Sequence, residues 1–159
     1  MSSDIVTKAK LQLIKRLSSA PKTVYEARVF LEKKGVEIDE IDSIIEELEE
    51  KKFLDDRVYS RCWIEDRHSR KNYGPHRLKQ ELKKKNIDSF IIEEELEPVF
   101  CNRDKVLEKV RELIQNKVDL WDGKEYLKFK QKVYNYLIRL GYNSDMIIEA
   151  INEKVRNIE

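Results

Sequence analysis

The positions of glycine and proline constrain the fold of this chain more than any other sequence feature. The 159 residues include only four glycines and three prolines, and all seven stand where a helix is expected to begin or end. Gly35 and Gly141 each follow a long stretch of helix-forming residues, where a left-handed glycine ends a helix at little cost. Pro75 stands in the first-turn position that proline tolerates, and Pro98 is predicted to end the acidic stretch 89–97. The interiors of the predicted helices therefore contain neither helix-breaking residue.

Apolar residues recur with the period of a helix. The spacing i, i+3, i+4, i+7 is found at Ile41, Ile44, Ile45 and Leu48. Thr23 and Glu26 have capping-box spacing just before another helical stretch. Alternating apolar runs of the kind that mark strands are absent from the sequence. We therefore predict an all-α fold.

One arrangement occurs three times along the chain: a helix, a capping residue, a short polar link, and a helix with paired isoleucines near its start. The capping residues are Gly35, Asn86 and Gly141, and asparagine is the residue after glycine that best accepts the left-handed conformation. The isoleucine pairs follow at 44–45, 91–92 and 147–148. The N-cap oxygens of these helices are predicted to come from Asp39, Asp88 and Ser144.

A further helical stretch precedes each of these arrangements, which gives three helices per unit. We predict three tandem three-helix repeats that stack into an elongated, curved helical array. They form a single repeat domain over residues 1–159, with units of approximately 1–52, 53–99 and 100–159. The alternative is that the similarity is a coincidence among amphipathic helices.

Charge is segmented along the sequence although the formal net charge is only +1. Residues 51–85 contain twelve lysines and arginines against five acidic residues, whereas 37–50 and 88–97 are acidic and contain no basic residue. The middle segment is therefore the candidate binding surface, for nucleic acid or for an acidic protein. The alternative is a solvated helix surface in which lysines at a helix end, such as Lys83–Lys85, compensate the helix dipole.

Several classes of protein are not expected from this sequence. No apolar run reaches the roughly 20 residues of a membrane-spanning helix, and the first residues lack the pattern of a signal peptide. Cys62 and Cys101 make no disulfide framework, and Cys62 is interpreted as a small core residue. No zinc motif, P-loop or nucleophile motif occurs. We expect a cytoplasmic monomer that is not an enzyme and holds no metal or other cofactor.

The middle segment resembles the signature of the RecX family, bacterial regulatory proteins that bind the RecA recombinase. The resemblance rests on Phe53-Leu-Asp-Asp56 with Tyr59 and Trp63, on the run from Tyr73-Gly-Pro-His-Arg77 to Leu82, and on Asn86-Ile-Asp88. Two positions differ from the usual family pattern. Val58 stands where an arginine usually precedes the aromatic residue, and Asn86 stands where glycine is more common.

The resemblance implies a protein that binds RecA and its filament on single-stranded DNA and inhibits recombination and the linked ATP hydrolysis. Such a protein acts in DNA repair and the SOS response. We expect the following residues to contact the partner: Arg61, Arg67, Arg70, Lys71, Tyr73, His76, Arg77 and Lys79. The rival hypothesis is a helical repeat protein that binds nucleic acid directly, without RecA, and a third is a passive scaffold.

Overall fold

The computed structural model describes the backbone of residues 2–158 and the side chains of residues 3–154. Over residues 2–158 it contains nine α-helices and no strands. The helices are α1 (Ser2–Ser19), α2 (Val24–Lys33), α3 (Ile38–Glu50), α4 (Asp56–Lys71), α5 (Pro75–Lys84), α6 (Ser89–Phe100), α7 (Arg103–Asp119), α8 (Tyr126–Leu140) and α9 (Ser144–Ile158). The prediction of an all-α helical repeat array is confirmed.

Most helix ends lie at the residues that the sequence indicated. Thr23 is the N-cap of α2, and its hydroxyl accepts a hydrogen bond of 3.1 Å from the Glu26 amide. Gly141 ends α8 with φ 99°, and Asn86 follows α5 with φ 56°. Both residues occupy the left-handed region, so each continues the chain where most other side chains would be strained. The Asp88 carboxylate accepts a bond of 2.8 Å from the Phe90 amide at the start of α6.

Two predicted caps and one predicted helix end were wrong. α3 begins at Ile38, so Asp39 lies in the first turn of the helix. There its negative charge interacts favourably with the helix dipole, and its side chain is not the N-cap. The N-cap oxygen of α9 belongs to Asn143, which accepts a bond from the Asp145 amide, while the Ser144 hydroxyl bonds to a tyrosine. Pro98 lies inside α6, which ends only two residues later. Pro98 lacks the N–H that would donate to the Glu94 carbonyl, so the last turn of α6 forms with one bond of the helical ladder missing.

The helices pack into two compact units. The first unit contains the residues up to Trp63 together with Leu82–Ile92, and α2 contacts both α1 and α3 within it. Its core is built from apolar residues of these three helices and their links. They are Ala9, Leu13, Ala27, Leu31, Val36, Ile41, Ile44, Ile45, Leu48 and Leu54. Four of them are the isoleucines and leucine whose spacing marked α3 as amphipathic.

The second unit contains Ile64–Glu81 and the residues from Glu93 onward, and α7, α8 and α9 all contact one another within it. Its core contains Val106, Leu107, Val110, Leu113, Ile114, Val133, Leu137, Leu140, Tyr142, Ile147, Ala150 and Ile151. The three middle helices α4, α5 and α6 therefore contribute residues to both compact units. The division of the chain into repeat units of about 1–52, 53–99 and 100–159 stays a prediction.

One predicted core residue on α4 lies at the surface. Cys62 is exposed, whereas Ser60 is fully buried. Two residues along a helix correspond to a rotation of about 200°, so the burial of Ser60 turns Cys62 toward solvent. Tyr59 and Trp63 of the same helix are half-buried.

Candidate partner-binding surface

The α4–α5 turn is bound to the α8–α9 turn by backbone hydrogen bonds. The Gly74 amide donates to the Leu140 carbonyl at 2.6 Å, and the His76 amide donates to the Gly141 carbonyl at 3.0 Å. Gly74 is buried, and Pro75 directly after it begins α5. The motif residues at this turn therefore hold two helix junctions together inside the second compact unit.

Two side chains strengthen the same junction. The buried Tyr142 hydroxyl donates a hydrogen bond of 2.8 Å to the Asn72 carbonyl. Burial, followed by nearby negative charge, raises the pKa of this tyrosine well above its usual range, so the hydroxyl keeps its proton. Asn72 itself adopts the left-handed conformation at φ 59°, which ends α4 just before the turn.

Two of the predicted contact residues, Tyr73 and Arg77, pack on each other. The Arg77 guanidinium carbon lies 3.8 Å from the centre of the Tyr73 ring, and the ring is half-buried against the core of the second unit. Arg77 also donates a hydrogen bond of 3.1 Å to the Arg139 carbonyl and lies 3.6 Å from Glu81. Both side chains therefore stabilise the junction, and the Arg77 group covers one face of the Tyr73 ring.

Other cations of the middle segment are engaged by carboxylates of the same chain. Asp66 accepts from Arg67 at 2.5 Å and lies 3.0 Å from the Arg70 guanidinium. Lys79 forms an ion pair with Glu93 of the acidic stretch 88–97. The charge count of residues 51–85 thus overstates the positive charge that a partner would meet.

Four of the eight predicted contact residues are exposed. Arg61 belongs to the first compact unit, while Arg70, Lys71 and His76 belong to the second. The Arg70 side chain retains 79% of its accessible surface. In the second unit these three residues flank the α4–α5 turn. Contact between a partner and any of the eight residues stays a prediction.

The Lys85 side chain lies against two aromatic rings and a carboxylate of the first unit. Its amino group lies 4.7 Å from the Trp63 ring centre and 5.6 Å from the Tyr59 ring centre, and 3.5 Å from Glu26. Burial acts to lower the pKa of this amino group, but interactions with Tyr59 and Glu26 outweigh it and raise the pKa above its usual value. Lys85 therefore stabilises the first unit through Glu26, Tyr59 and Trp63, which differs from the helix-dipole compensation considered for the lysines at this helix end.

A second basic surface, which the charge segmentation did not reveal, lies on α8. This helix contains Lys128, Lys130, Lys132 and Arg139 and no acidic residue. Together with the C-terminal end of α7 it borders a groove of about 740 Å³. The signal was present in the sequence as four basic residues interleaved with tyrosines and phenylalanine over one helix. It was overlooked because residues 100–159 hold twelve basic and ten acidic residues, so a count over this whole segment hides the four cations of α8.

Other kinds of site are not indicated in the part of the chain that the structure describes. Residues with described side chains contain no group of three or more histidine, cysteine or acidic residues placed to hold a metal ion. Across the described helices, none is long and apolar enough to cross a membrane. Cys62 and Cys101 are both free and exposed.

Two stretches of the chain match domains of the RecX family. Residues 55–96 match the second three-helix domain of RecX, and residues 104–151 match its third three-helix domain. The regulatory protein RecX of Clostridium botulinum is 30% identical over 158 residues, which cover 97% of this chain and 72% of that protein. The regulatory protein RecX of Finegoldia magna is 30% identical over 131 residues, which cover 82% of this chain and 63% of that protein.

A third relative, the regulatory protein RecX of Halalkalibacterium halodurans, is 32% identical over 134 residues, covering 84% of this chain and 50% of the relative. The chain thus spans less than two thirds of the length of the Finegoldia and Halalkalibacterium proteins. The crystal structure of RecX from Lactobacillus salivarius has the same fold, with a TM-score of 0.83 at 24% identity over 95% of this chain and 97% of that one. Two RecX domains match this chain, and proteins named regulatory protein RecX are similar to it over most of its length. This chain therefore belongs to the RecX family.

Proposed function

We propose that this protein binds RecA and the RecA filament on single-stranded DNA, and that it inhibits recombination and the linked ATP hydrolysis. The match of residues 55–96 and 104–151 to RecX domains is the observation that carries the proposal. The relatives are named regulatory proteins, and a regulator of this kind acts by occupying a surface and needs no reacting groups of its own. Its place would be in DNA repair and the SOS response.

The exposed cations at the α4–α5 turn support a contact with an acidic surface. Arg70, Lys71 and His76 are exposed there, while Arg77 and Tyr73 hold the turn against the α8–α9 junction. A turn fixed in this way holds the backbone that carries these cations in one arrangement, so little backbone entropy is lost on binding. Screening of exposed charges implies that binding weakens as salt is added.

We further propose that the protein acts as a monomer in the cytoplasm. Both cysteines are free, which is the state expected in a reducing compartment. Sedimentation at working concentrations would test the oligomeric state, and a dimer would contradict this part of the proposal.

The decisive experiment is a titration of the protein into RecA filaments that hydrolyse ATP on single-stranded DNA, with a parallel titration into the same DNA without RecA. We expect inhibition of ATP hydrolysis well below the protein concentration that coats the bare DNA. Loss of hydrolysis only at concentrations that coat the DNA would instead favour a direct nucleic-acid-binding protein. No effect at any concentration would exclude a RecA modulator.

A further inference from the structure

The groove between α7 and α8 combines cations with aromatic rings. Its volume is about 740 Å³, and the lining side chains that matter here are Lys117, Phe129, Lys132, Asn135, Tyr136 and Arg139. All of them belong to the second compact unit, and all but Lys117 come from α8. The groove lies outside the middle segment to which the sequence assigned partner binding.

Within the residues whose side chains are described, the cations of the groove are not neutralised by carboxylates. Among residues 3–154, no carboxylate lies within ion-pair distance of Lys117, Lys132 or Arg139. The Lys132 and Arg139 side chains are exposed. They are seven positions apart in the sequence, which corresponds to about 10 Å along the helix axis. This differs from the α4–α5 region, where Arg67, Arg70 and Lys79 all pair with carboxylates.

Aromatic rings in the groove are held in place by their neighbours. The Phe129 ring is stacked on Trp121 with centroids 4.5 Å apart and an interplanar angle of 12°. The Lys117 amino group lies 4.1 Å from the centre of the Tyr136 ring. Trp121 donates a hydrogen bond of 2.7 Å to the Lys124 carbonyl, which fixes the link before α8. Rings that are already ordered lose little entropy when a ligand packs on them.

We propose that this groove binds single-stranded nucleic acid, with phosphates on Lys132 and Arg139 and bases against the aromatic lining. A single strand presents both the charge and the planar apolar faces that such a groove can satisfy. A duplex hides its base faces, and an acidic peptide has charge without flat rings, so each would use only part of the lining. The proposal goes beyond RecA binding, because the groove requires no RecA to act.

The test measures binding of a fluorescent twenty-residue oligothymidine to the full chain by anisotropy, in the absence of RecA. The double variant Lys132→Gln/Arg139→Gln should weaken binding about tenfold and reduce the slope of log K against log salt by about 1.4, or 0.7 for each lost phosphate contact. The matched control is Lys124→Gln/Lys128→Gln, which removes the same charge next to the groove and should change affinity by less than about twofold. Circular dichroism checks that both variants keep their helices.

A strand of the same length without bases separates base recognition from charge. We expect oligothymidine to bind at least about fivefold more tightly than this abasic strand, which is the lower end of the effect of stacking on one aromatic ring. Equal affinity for the two strands would overturn the proposal, as would equal affinity for duplex DNA or for a polyglutamate peptide of the same length. Equal loss of binding in the control variant would also overturn the proposal, because oligothymidine would then respond to the overall positive charge of the region and not to the groove.

Failure of this proposal is distinguishable from failure of the proposed function. If the wild-type chain inhibits RecA filaments but oligothymidine binding is insensitive to Lys132 and Arg139, only the groove proposal is excluded. If it binds oligothymidine through the groove and leaves RecA unaffected, only the proposed function is excluded.

Discussion

A Cβ atom added to Gly74 would lie 2.7 Å from the carbonyl oxygen of Gly141. The two glycines thus allow the α4–α5 turn and the α8–α9 turn to approach each other at backbone distance. The Gly74 amide bonds to Leu140 across this junction, and the Gly141 carbonyl accepts from His76. The absence of a side chain at Gly74 is therefore a packing requirement of the tertiary structure.

The substitution Gly74→Ala tests this requirement, because crowding and its absence predict opposite changes in the free energy of unfolding. The φ of Gly74 lies outside the left-handed region, so alanine at an uncrowded site of this kind would stabilise the protein by about 0.4–1 kcal/mol. Because the obstructing atom is backbone, we expect destabilisation of about 1–3 kcal/mol instead, measured by urea unfolding. The comparison variant Gly123→Ala has no atom within 4 Å of the added Cβ and carries only the strain of its positive φ. A more stable Gly74→Ala protein would contradict the crowding.

Removal of the Thr23 cap should lower the free energy of unfolding. Thr23 is fully buried, and its hydroxyl accepts the Glu26 amide. Thr23→Val keeps the shape and leaves that amide without its partner, so we expect a loss of about 1 kcal/mol. Ser18→Ala is the control, because the Ser18 hydroxyl only donates to a carbonyl at an exposed position, and the change should stay within about 0.5 kcal/mol. Identical unfolding midpoints for the two variants would show that the cap is dispensable.

The ion pairs of Glu47 should make stability depend on pH at the acidic end. Hydrogen bonds from Lys10 and then from Lys51 lower the pKa of Glu47 from 4.5 to about 2. A lowered pKa in the folded state contributes stability that is present above the unfolded-state value of 4.5. This contribution is lost as the pH falls through about 2. The side chain is about one third exposed, so solvent screening keeps the effect small.

The measurement compares the wild type with Glu47→Gln by thermal unfolding across this pH range. The wild type should be the more stable protein above pH 4.5, and the difference should shrink as the pH falls toward about 2. Lys10→Gln removes the largest cause of the shift, and it should weaken the pH dependence while Lys51 preserves part of it. A difference between wild type and Glu47→Gln that is constant with pH would rule out the linkage.

Charge reversal at the exposed part of the α4–α5 region should weaken the action on RecA. Arg70→Glu/Lys71→Glu leaves Arg77 and Tyr73 in place, so the junction keeps its packing. We expect that half-inhibition of filament ATP hydrolysis needs about tenfold more protein, mainly because association becomes slower. The control Lys8→Glu/Lys105→Glu reverses two exposed lysines outside the middle segment, and it should inhibit like the wild type. Equal inhibition by both variants would place the contact with RecA elsewhere.

The helices and most of their ends follow from local features of the sequence. A left-handed glycine at position 141, a capping oxygen at Thr23 and the spacing of Ile41, Ile44 and Leu48 act over one turn of chain. Such interactions are contained within a few neighbouring residues, so a pattern in the sequence is enough to predict them. A short motif around the α4–α5 turn likewise indicates the family.

The candidate site could be predicted only in part. Contacts between residues far apart in the sequence determine which of its cations are bound within the fold and which remain exposed. Arg77 bonds to the Arg139 carbonyl and stacks on Tyr73, and Lys79 pairs with Glu93. The carbonyl of residue 139 is sixty-two positions from Arg77. Composition counts each of these cations equally, whereas the fold uses some to hold the junction and leaves others exposed.

By itself, the sequence determined the α-helices, the caps at Thr23 and Gly141, and the RecX motif, because each is encoded within a few residues of chain. Only the tertiary structure decided that Gly74 lies against Gly141, and that α7 and α8 border a basic aromatic groove. It also decided which arginines remain exposed. These features depend on which residues are buried and on how closely the helices pack. The order of charged and hydrophobic residues along the chain specifies neither of these.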